Sequence, residues 1–502
     1  MDIDDAAAAL NACMAAGVSE FAVCGGARDA ELVALISRLE DPRVRLWTFP
    51  EERVAAFYAL GRARGSGRAV AVVTTSGTAA AELLPAAVEA YYQSVPLVLL
   101  TADRPLRFRS SGAPQAIEQE GLFGIYAESD FGAWDFRSPL HLNVCLEEPT
   151  AERLSVQTGP VPGEFEPGPV VSADLMDATR QLQRFLVGGG ELMVMLGCLP
   201  ESWRAPVLSF LKRARIPTYA EATSGLREVG SFPRRRSLAE RVLRIGGVPS
   251  CRSWRDLESR PEIPVFSVAP NGLPGMARPS EVVRAVDWEA LTLPPTLVPA
   301  SPEDEEKSVD EIVNRLPLSE AGWIRSLSDA IPPGALVFLG NSLPIREWNR
   351  FASRIDRGLR CFANRGANGI DGILASFFGI AEGEDESWLI TGDLSVIYDL
   401  SAPWVLPQSS PGRRRLVVIN NGGGRIFERL PALRTPGVDT VRDLLVNSHS
   451  LRFDHWAAMW GLDYQKVSSP VDLHQLPDGN VVVEVLPDEA QSEAVWEALE
   501  GR

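Results

Sequence analysis

The sequence predicts an α/β chain made of three doubly wound parallel-sheet domains, and three observations carry that prediction. Short, wholly apolar segments alternate with longer helix-like ones, as strands buried on both faces of a parallel sheet do. The best-defined apolar segments run into turns punctuated by Gly or Ser, where such folds place their functional loops. Two stretches rich in Pro, with Gly or acids, Gly159 to Gly168 and Leu293 to Glu306, read as linkers. They divide the 502 residues into 1–175, 176–306 and 307–502.

In the first third, Phe21 to Cys24 reads as a buried strand entering the Gly25-Gly26 turn, and Ala30 to Leu39 as a helix. Val54 to Arg64 is expected to be helical. Ala69 to Thr74 is an apolar strand ending at Thr75-Ser76-Gly77-Thr78, Ala79 to Tyr92 a helix, and Val95 to Thr101 another strand. The middle third is more weakly patterned, with a strand at Glu191 to Leu196, a helix at Pro206 to Arg213, and Val242 to Ile245 before Gly246-Gly247. In the last third the alternation returns through Leu336–Leu339, Ala375–Ala381, Trp388–Thr391, Leu416–Ile419 and Val481–Val485.

The balance of 49 basic against 66 acidic residues, net −17, argues against nucleic acid and anionic membranes as partners. It leaves anionic small molecules open, because a local arginine cluster overrides the global field. Six cysteines without a CxxC pair, and four histidines, make neither a disulfide framework nor a zinc site. Apolar runs such as Val95 to Leu100 are too short to span a bilayer, and Met1 to Asp5 is acidic where a secretory signal is basic. The expectation is a cytoplasmic protein with no membrane span.

Two short stretches concentrate the chemistry. Gly392-Asp393-Leu394-Ser395 follows one apolar strand, and Asn420-Asn421-Gly422-Gly423-Gly424 follows the next. An acid at one strand end and an amide at the neighbouring one can share a hard cation. Asp393 offers a carboxylate oxygen, Asn421 its amide oxygen, and Gly423 a backbone carbonyl. Such an all-oxygen set suits Mg²⁺, which keeps coordination positions for a diphosphate, and glycines let backbone N–H groups approach phosphates closely. The pair resembles the diphosphate-and-metal motif of thiamine-diphosphate enzymes.

The resemblance extends along the chain. Thr75-Ser76-Gly77-Thr78-Ala79, Leu100-Thr101-Ala102-Asp103-Arg104-Pro105, Gly112-Ala113-Pro114-Gln115-Ala116-Ile117, Gly340-Asn341-Ser342-Leu343-Pro344-Ile345-Arg346 and Asn364-Arg365-Gly366-Ala367-Asn368-Gly369-Ile370-Asp371-Gly372 occur in order. With Gly392-Asp393-Leu394-Ser395 and Arg425-Ile426-Phe427, they resemble the 2-succinyl-5-enolpyruvyl-6-hydroxy-3-cyclohexene-1-carboxylate synthases of menaquinone biosynthesis. The resemblance implies pyrimidine-binding, middle and diphosphate-binding domains, in that order. It implies a transferase that uses thiamine diphosphate with Mg²⁺ or Mn²⁺ to decarboxylate 2-oxoglutarate and add the succinyl carbanion equivalent to isochorismate. Glu52, immediately before Arg53 at the start of an amphipathic helix, matches the carboxylate beside the aminopyrimidine of the cofactor and is preferred to Glu51. Ser76, Gly77, Ile370, Gly392, Leu394, Ser395 and Asn421 match cofactor contacts, Ile370 as the apolar prop beneath the bent cofactor. Asp393, Asn421 and Gly423 match the metal ligands. A homodimer or homotetramer is implied, because thiamine sites form between subunits.

Both implied substrates are polyanions, and guanidinium forks bind carboxylates bidentately while staying charged. Arg28, Arg104, Arg252, Arg346 and Arg365 fall at motif positions, with Gln115 and Ser342 as neutral partners and Ile426 and Phe427 on the isochorismate side. Three departures from the family pattern stand out. The first loop reads Cys24-Gly25-Gly26-Ala27-Arg28-Asp29, with Ala27 in place of a serine and an acid beside Arg28. Cys251-Arg252 replaces a Lys-Arg pair, and Arg425 stands where a small or amide residue is usual. Two other readings remain: another thiamine-diphosphate 2-oxoacid decarboxylase or acetohydroxyacid synthase, and a catalytically silent thiamine-binding relative.

Overall fold

Runs of Val, Ile, Leu and Ala that are buried on both faces assemble into three all-parallel sheets of six strands each. The computed structural model describes residues 2–3, 6–155, 172–229, 232–295, 297–302 and 306–500; the expected linker Gly159–Gly168 lies outside them. The first sheet contains β1 (Asp2–Ile3), β2 (Glu20–Cys24), β3 (Arg45–Thr48), β4 (Val70–Thr74), β5 (Leu97–Asp103) and β6 (Leu140–Cys145), in the order β1-β6-β5-β4-β2-β3. The second contains β7 (Glu191–Leu196), β8 (Thr218–Ala220), β9 (Arg241–Ile245), β10 (Val265–Val268), β11 (Glu281–Val283) and β12 (Val298–Pro299). Its order is β11-β10-β9-β7-β12, with β8 also paired to β7. The third runs β14-β13-β15-β16-β18-β17, from β13 (Leu336–Leu339), β14 (Arg360–Phe362), β15 (Glu386–Gly392), β16 (Arg413–Ile419), β17 (Asp463–Val467) and β18 (Val481–Val485).

Several expected elements change on folding. The expected helix Ala79–Tyr92 is two helices, Thr78–Ala81 and Leu84–Gln93, because Pro85 has no N–H to continue the first and sits in the first turn of the second. The apolar run Ala375–Ala381, named above as part of the α/β alternation, falls in the helix Ile373–Ile380 and its C-cap Ala381. The expected linker Leu293–Glu306 includes β12, which pairs with β7 through Val298–Glu191 and Pro299–Leu192.

Among the described residues the chain forms two compact units: residues 1–168 with 366–385 and 395–411, and residues 169–365 with 386–394 and 412–502. The first is held by the helix Glu52–Ser66, buried from Val54 to Ala63, lying along the helix Ile373–Ile380. Glycine permits that approach. A Cβ at Gly61 would sit 2.2 Å from the Ser376 carbonyl oxygen, and one at Gly379 would sit 2.2 Å from that of Tyr58. Arg62 beside Gly61 forks onto Glu20 of β2 at 2.6 and 2.8 Å, tying this helix to its own sheet. In the second unit, Arg227 donates to the carbonyls of Asn349, Ser353 and Ala352, and Asn349 accepts the Ala222 N–H.

Close helix contact makes two neighbouring glycines respond oppositely to the same change. Gly61→Ala is expected to destabilise by about 1–3 kcal/mol through overpacking. Gly65→Ala, whose Cβ would meet Ile380 no closer than 3.4 Å, is expected to gain up to about 1 kcal/mol of helix propensity. Urea denaturation midpoints moving in the same direction for both would contradict the packing described.

Candidate active site

Parallel register brings the two metal-motif loops together. Gly392 at the end of β15 is paired with Ile419 at the end of β16, so Asp393 and Asn420-Asn421 leave the sheet side by side. Asp393 is buried, and its Oδ2 accepts N–H bonds from Gly422 (2.9 Å) and Gly423 (3.1 Å), while Oδ1 accepts that of Leu394 (2.6 Å). Burial pushes its carboxyl above the usual range, against the pull of His449 and of those three N–H groups. His449 Nε2 lies 3.4 Å from Asp393 Oδ2, and the His449 N–H is donated to the Gly422 carbonyl. Asn421 Nδ2 donates to Glu320 Oε1 at 2.8 Å, whereas Asn421 Oδ1 is buried with no hydrogen-bond partner. An orphaned amide oxygen beside a buried carboxylate and the Gly423 carbonyl fits a hard cation of the Mg²⁺ or Mn²⁺ type. Arg425 occupies the far side of this loop. It donates Nε to the Asn421 carbonyl at 3.1 Å and pairs with Glu428 at 2.7 Å. Ile426 and Phe427 are half-buried in the short turn Arg425–Arg429.

The helix Leu343–Phe351 after β13 and the loop after β14 carry arginines. Arg365 is buried and donates to Asn341 Oδ1 at 2.9 Å, and Asn341 donates to the Asn364 carbonyl at 2.8 Å. Arg346 donates to the carbonyl of Ser342 at 2.6 Å, and Ser342 holds a left-handed φ of 70°. Burial, then the charges of Arg365 and Arg255, brings the Arg346 guanidinium down to about 10, so it stays a cation at neutral pH. Neither Arg346 nor Arg365 meets a carboxylate among the described residues. The Arg252 side chain is 72% exposed and 3.6 Å from Asp256, and the charge that reaches Arg346 from this helix is that of Arg255.

The first unit places its residues at the carboxyl ends of β2, β3, β4 and β5. Glu52 opens the helix Glu52–Ser66. Its neighbours on both sides are tied down: Glu51 accepts from Ser401 Oγ at 2.7 Å, and Arg53 bonds Asp399 at 2.9 Å and the Tyr398 carbonyl at 2.7 Å. Asp399 also accepts the N–H groups of Gly372 and Leu374, which fixes the loop bearing the half-buried Ile370. The Glu52 carboxylate accepts no hydrogen bond among the described residues, and its charge reaches Cys24 and Asp29. Ser76 Oγ is buried without a partner, and the Gly77 N–H is donated to Gln119 Oε1 at 2.8 Å. Gln115 is exposed, and its Cα would lie 3.1 Å from a Cβ at Gly77. Arg104 stacks over Phe108 at 5.2 Å. The Arg28 fork is occupied by the Leu146 carbonyl at 2.9 Å and by Glu148. Leu394 and Ser395 continue the metal-motif helix Asp393–Tyr398.

Sequence reasoning missed Glu320, His449, Gln119, Asp399 and Arg255. None lies inside a Gly-punctuated strand-end motif; each reaches its partner from a helix or connecting loop distant in sequence. Gln119, two residues after Ile117, and Arg255, three residues after Arg252, lay within reach of motifs already singled out.

Comparison with known proteins gives a consistent picture. Residues 4–122 match the family "Thiamine pyrophosphate enzyme, N-terminal TPP binding domain". The chain is 41% identical to the 2-succinyl-5-enolpyruvyl-6-hydroxy-3-cyclohexene-1-carboxylate synthase of Akkermansia muciniphila, covering 96% of each chain. It is 37% identical to the enzyme of the same name from Bdellovibrio bacteriovorus, covering 96% of this chain and 95% of that one. The benzoylformate decarboxylase of Polynucleobacter necessarius superposes with a TM-score of 0.68 over 97% of this chain and 99% of its own, at 13% identity, a likeness of fold alone.

The unusual acid of the first loop should give the protein a pH signature. Asp29 is fully buried; its Oδ1 accepts the Gly26 N–H at 2.7 Å and its Oδ2 has no partner. Burial chiefly, with Glu52 adding to it, pushes its carboxyl up to about 6. The folded state therefore holds this proton where the unfolded chain, at about 3.9, has lost it, so stability falls as pH rises from about 4 to about 6. Asp29→Asn is expected to flatten that fall and to gain on the order of 2 kcal/mol at pH 7. Denaturation of both proteins across pH 4–7 checks it, and a parallel pair of profiles would contradict it.

Proposed function

The chain belongs to the 2-succinyl-5-enolpyruvyl-6-hydroxy-3-cyclohexene-1-carboxylate synthase family, and on that premise we propose that it joins 2-oxoglutarate to isochorismate with loss of CO₂ in menaquinone biosynthesis. Bound thiamine diphosphate supplies the electron sink for decarboxylation and for transfer of the remaining four-carbon unit. The observation that carries the reading is the buried Asp393–Asn421 constellation with its orphaned Asn421 Oδ1.

Asp393, Asn421 and the Gly423 carbonyl hold Mg²⁺ or Mn²⁺, and Gly392, Leu394 and Ser395 shape the diphosphate seat. Ser76 and Gly77 offer a hydroxyl and backbone to the cofactor, with Ile370 as its apolar support. Glu52 exchanges a proton at its carboxylate beside the aminopyrimidine. Its fixed neighbours keep the helix start in place, so this carboxylate need not reorganise during proton exchange. Arg346 and Arg365, charged and paired with neutral oxygens rather than acids, bind substrate carboxylates. Arg28, Arg104, Arg252, Gln115, Ser342, Ile426 and Phe427 complete the proposed substrate lining. Domain limits at 1–175, 176–306 and 307–502, a homodimer or homotetramer, and a cytoplasmic location belong to the same proposal. Among the described residues no helix is long and apolar enough to cross a membrane.

Purified protein with thiamine diphosphate, Mg²⁺ and 2-oxoglutarate is expected to consume isochorismate, and to need every component. Decarboxylation that leaves isochorismate untouched would favour a different acceptor, and no reaction at all a silent relative. Glu52→Gln is expected to bind the cofactor normally and to lose most of its turnover, about 10²-fold or more. Near-normal turnover would remove Glu52 from its role.

A further inference from the structure

Asn421 is useful to a cation only if its oxygen, and not its NH₂, faces the ion. The two ends of an amide have the same shape, so a partner elsewhere must set which way it points. Glu320 touches the NH₂ end: Asn421 Nδ2 donates to Glu320 Oε1 at 2.8 Å, which leaves Oδ1 facing away without a partner.

Glu320 is itself built in. It is 3% exposed and is the first residue of the helix Glu320–Ala330, capped by Ser319, whose side chain accepts the Gly322 N–H. The Glu320 N–H is donated to Ser492 Oγ at 3.0 Å, which joins the helix start to the helix Glu489–Glu500. The turn before it admits only glycine at position 322, because a Cβ there would sit 2.4 Å from the Pro317 carbonyl oxygen. Behind it lies Glu347, also buried, with neither carboxyl oxygen bonded and Arg429 the cation nearby. A buried acid sited against a second buried acid is costly to keep for stability alone. Among the described residues its one side-chain hydrogen bond is to Asn421.

We propose that Glu320 is a positioning residue, which holds the Asn421 amide with Oδ1 turned toward the metal and so sets the affinity for the Mg²⁺–thiamine diphosphate pair. The inference rests on the metal assignment above. Glu320 touches neither the ion nor the cofactor; it acts through Asn421, as groups behind metal ligands do.

The test is calorimetric titration of Mg²⁺ into the full-length protein at fixed thiamine diphosphate, alongside melting of the metal-free protein. Glu320→Leu is expected to weaken Mg²⁺ binding by about 10- to 100-fold. Glu320→Gln, which keeps a carbonyl acceptor for Asn421 Nδ2, is expected to recover to within about threefold of the parent. A purely structural Glu320 would shift the melting temperature of Glu320→Leu and leave Mg²⁺ affinity at the parent value, and that result overturns the proposal. Should Glu320→Leu fail to fold, Glu320→Ala removes the same acceptor without adding bulk and carries the same comparison. Asn421→Ala separates the two readings. If it too keeps parental Mg²⁺ affinity, the metal assignment fails and Glu320 has nothing to position. If it loses affinity while Glu320→Leu does not, only the role of Glu320 is overturned.

Discussion

One carboxylate organises the metal-motif end of the third sheet. Asp393 receives three backbone N–H bonds, two of them from Gly422 and Gly423 of the neighbouring loop. The loop turns its amides inward only because its residues adopt φ of 78° and 139°, and a Cβ at Gly423 would strike the Val446 carbonyl oxygen at 2.6 Å. Glycine is therefore required by geometry at the position whose carbonyl is proposed as a metal ligand. Burial works against the ionised form of Asp393, while the N–H groups and His449 work for it. A divalent ion at this point would decide the balance in favour of the carboxylate, so the loop is folded around a charge that its ligand completes.

The first unit solves the complementary problem, which is to immobilise a helix start and leave one acid on it unengaged. Glu51 and Arg53 are anchored to Ser401 and Asp399, and Asp399 also accepts two N–H groups at the start of the helix Ile373–Ile380. The same helix pair is drawn close by Gly61 and Gly379. Glu52 thus sits between two fixed residues on a helix that has little freedom to shift. That arrangement suits the proton exchange proposed for Glu52.

Much of this was legible in the sequence because it lies in strands and in the loops directly after them. Apolar runs bounded by Gly-Asp or Asn-Asn-Gly announce both a strand and the loop that leaves it, and β15 and β16 form with Asp393 and Asn421 at their ends, as expected. The middle sheet was harder: β8, β11 and β12 have three residues or fewer, too short for any periodicity to show. The split at Pro85 was missed because the apolar pattern runs through it, although the missing N–H decides the matter locally. Glu320 and His449 were invisible for a different reason. They meet Asn421 and Asp393 through tertiary contacts, and an acid capping a helix or a histidine in a loop carries no local mark of such a partner.

Several charged groups in this protein are held in one of two distinct ways. Arg62 and Glu20 neutralise each other through a two-pronged pair, as do Arg53 and Asp399 in part. Such pairs fix elements but leave little field for a ligand. Three groups near the strand ends have neutral hydrogen-bond partners instead: Asp393 is held by amide N–H groups, Arg346 by the Ser342 carbonyl, and Arg365 by the Asn341 amide oxygen. Neutral partners orient a charge without cancelling it, so its field remains directed at whatever enters. Burial, and then repulsion from Arg365 and Arg255, lowers the guanidinium of Arg346, and a dianionic guest would relieve that repulsion. In a chain of net charge −17, the buried Arg365 and the half-buried Arg346 act on each other with no carboxylate hydrogen-bonded to either among the described residues. The small polycarboxylates proposed above as substrates would suit that arrangement.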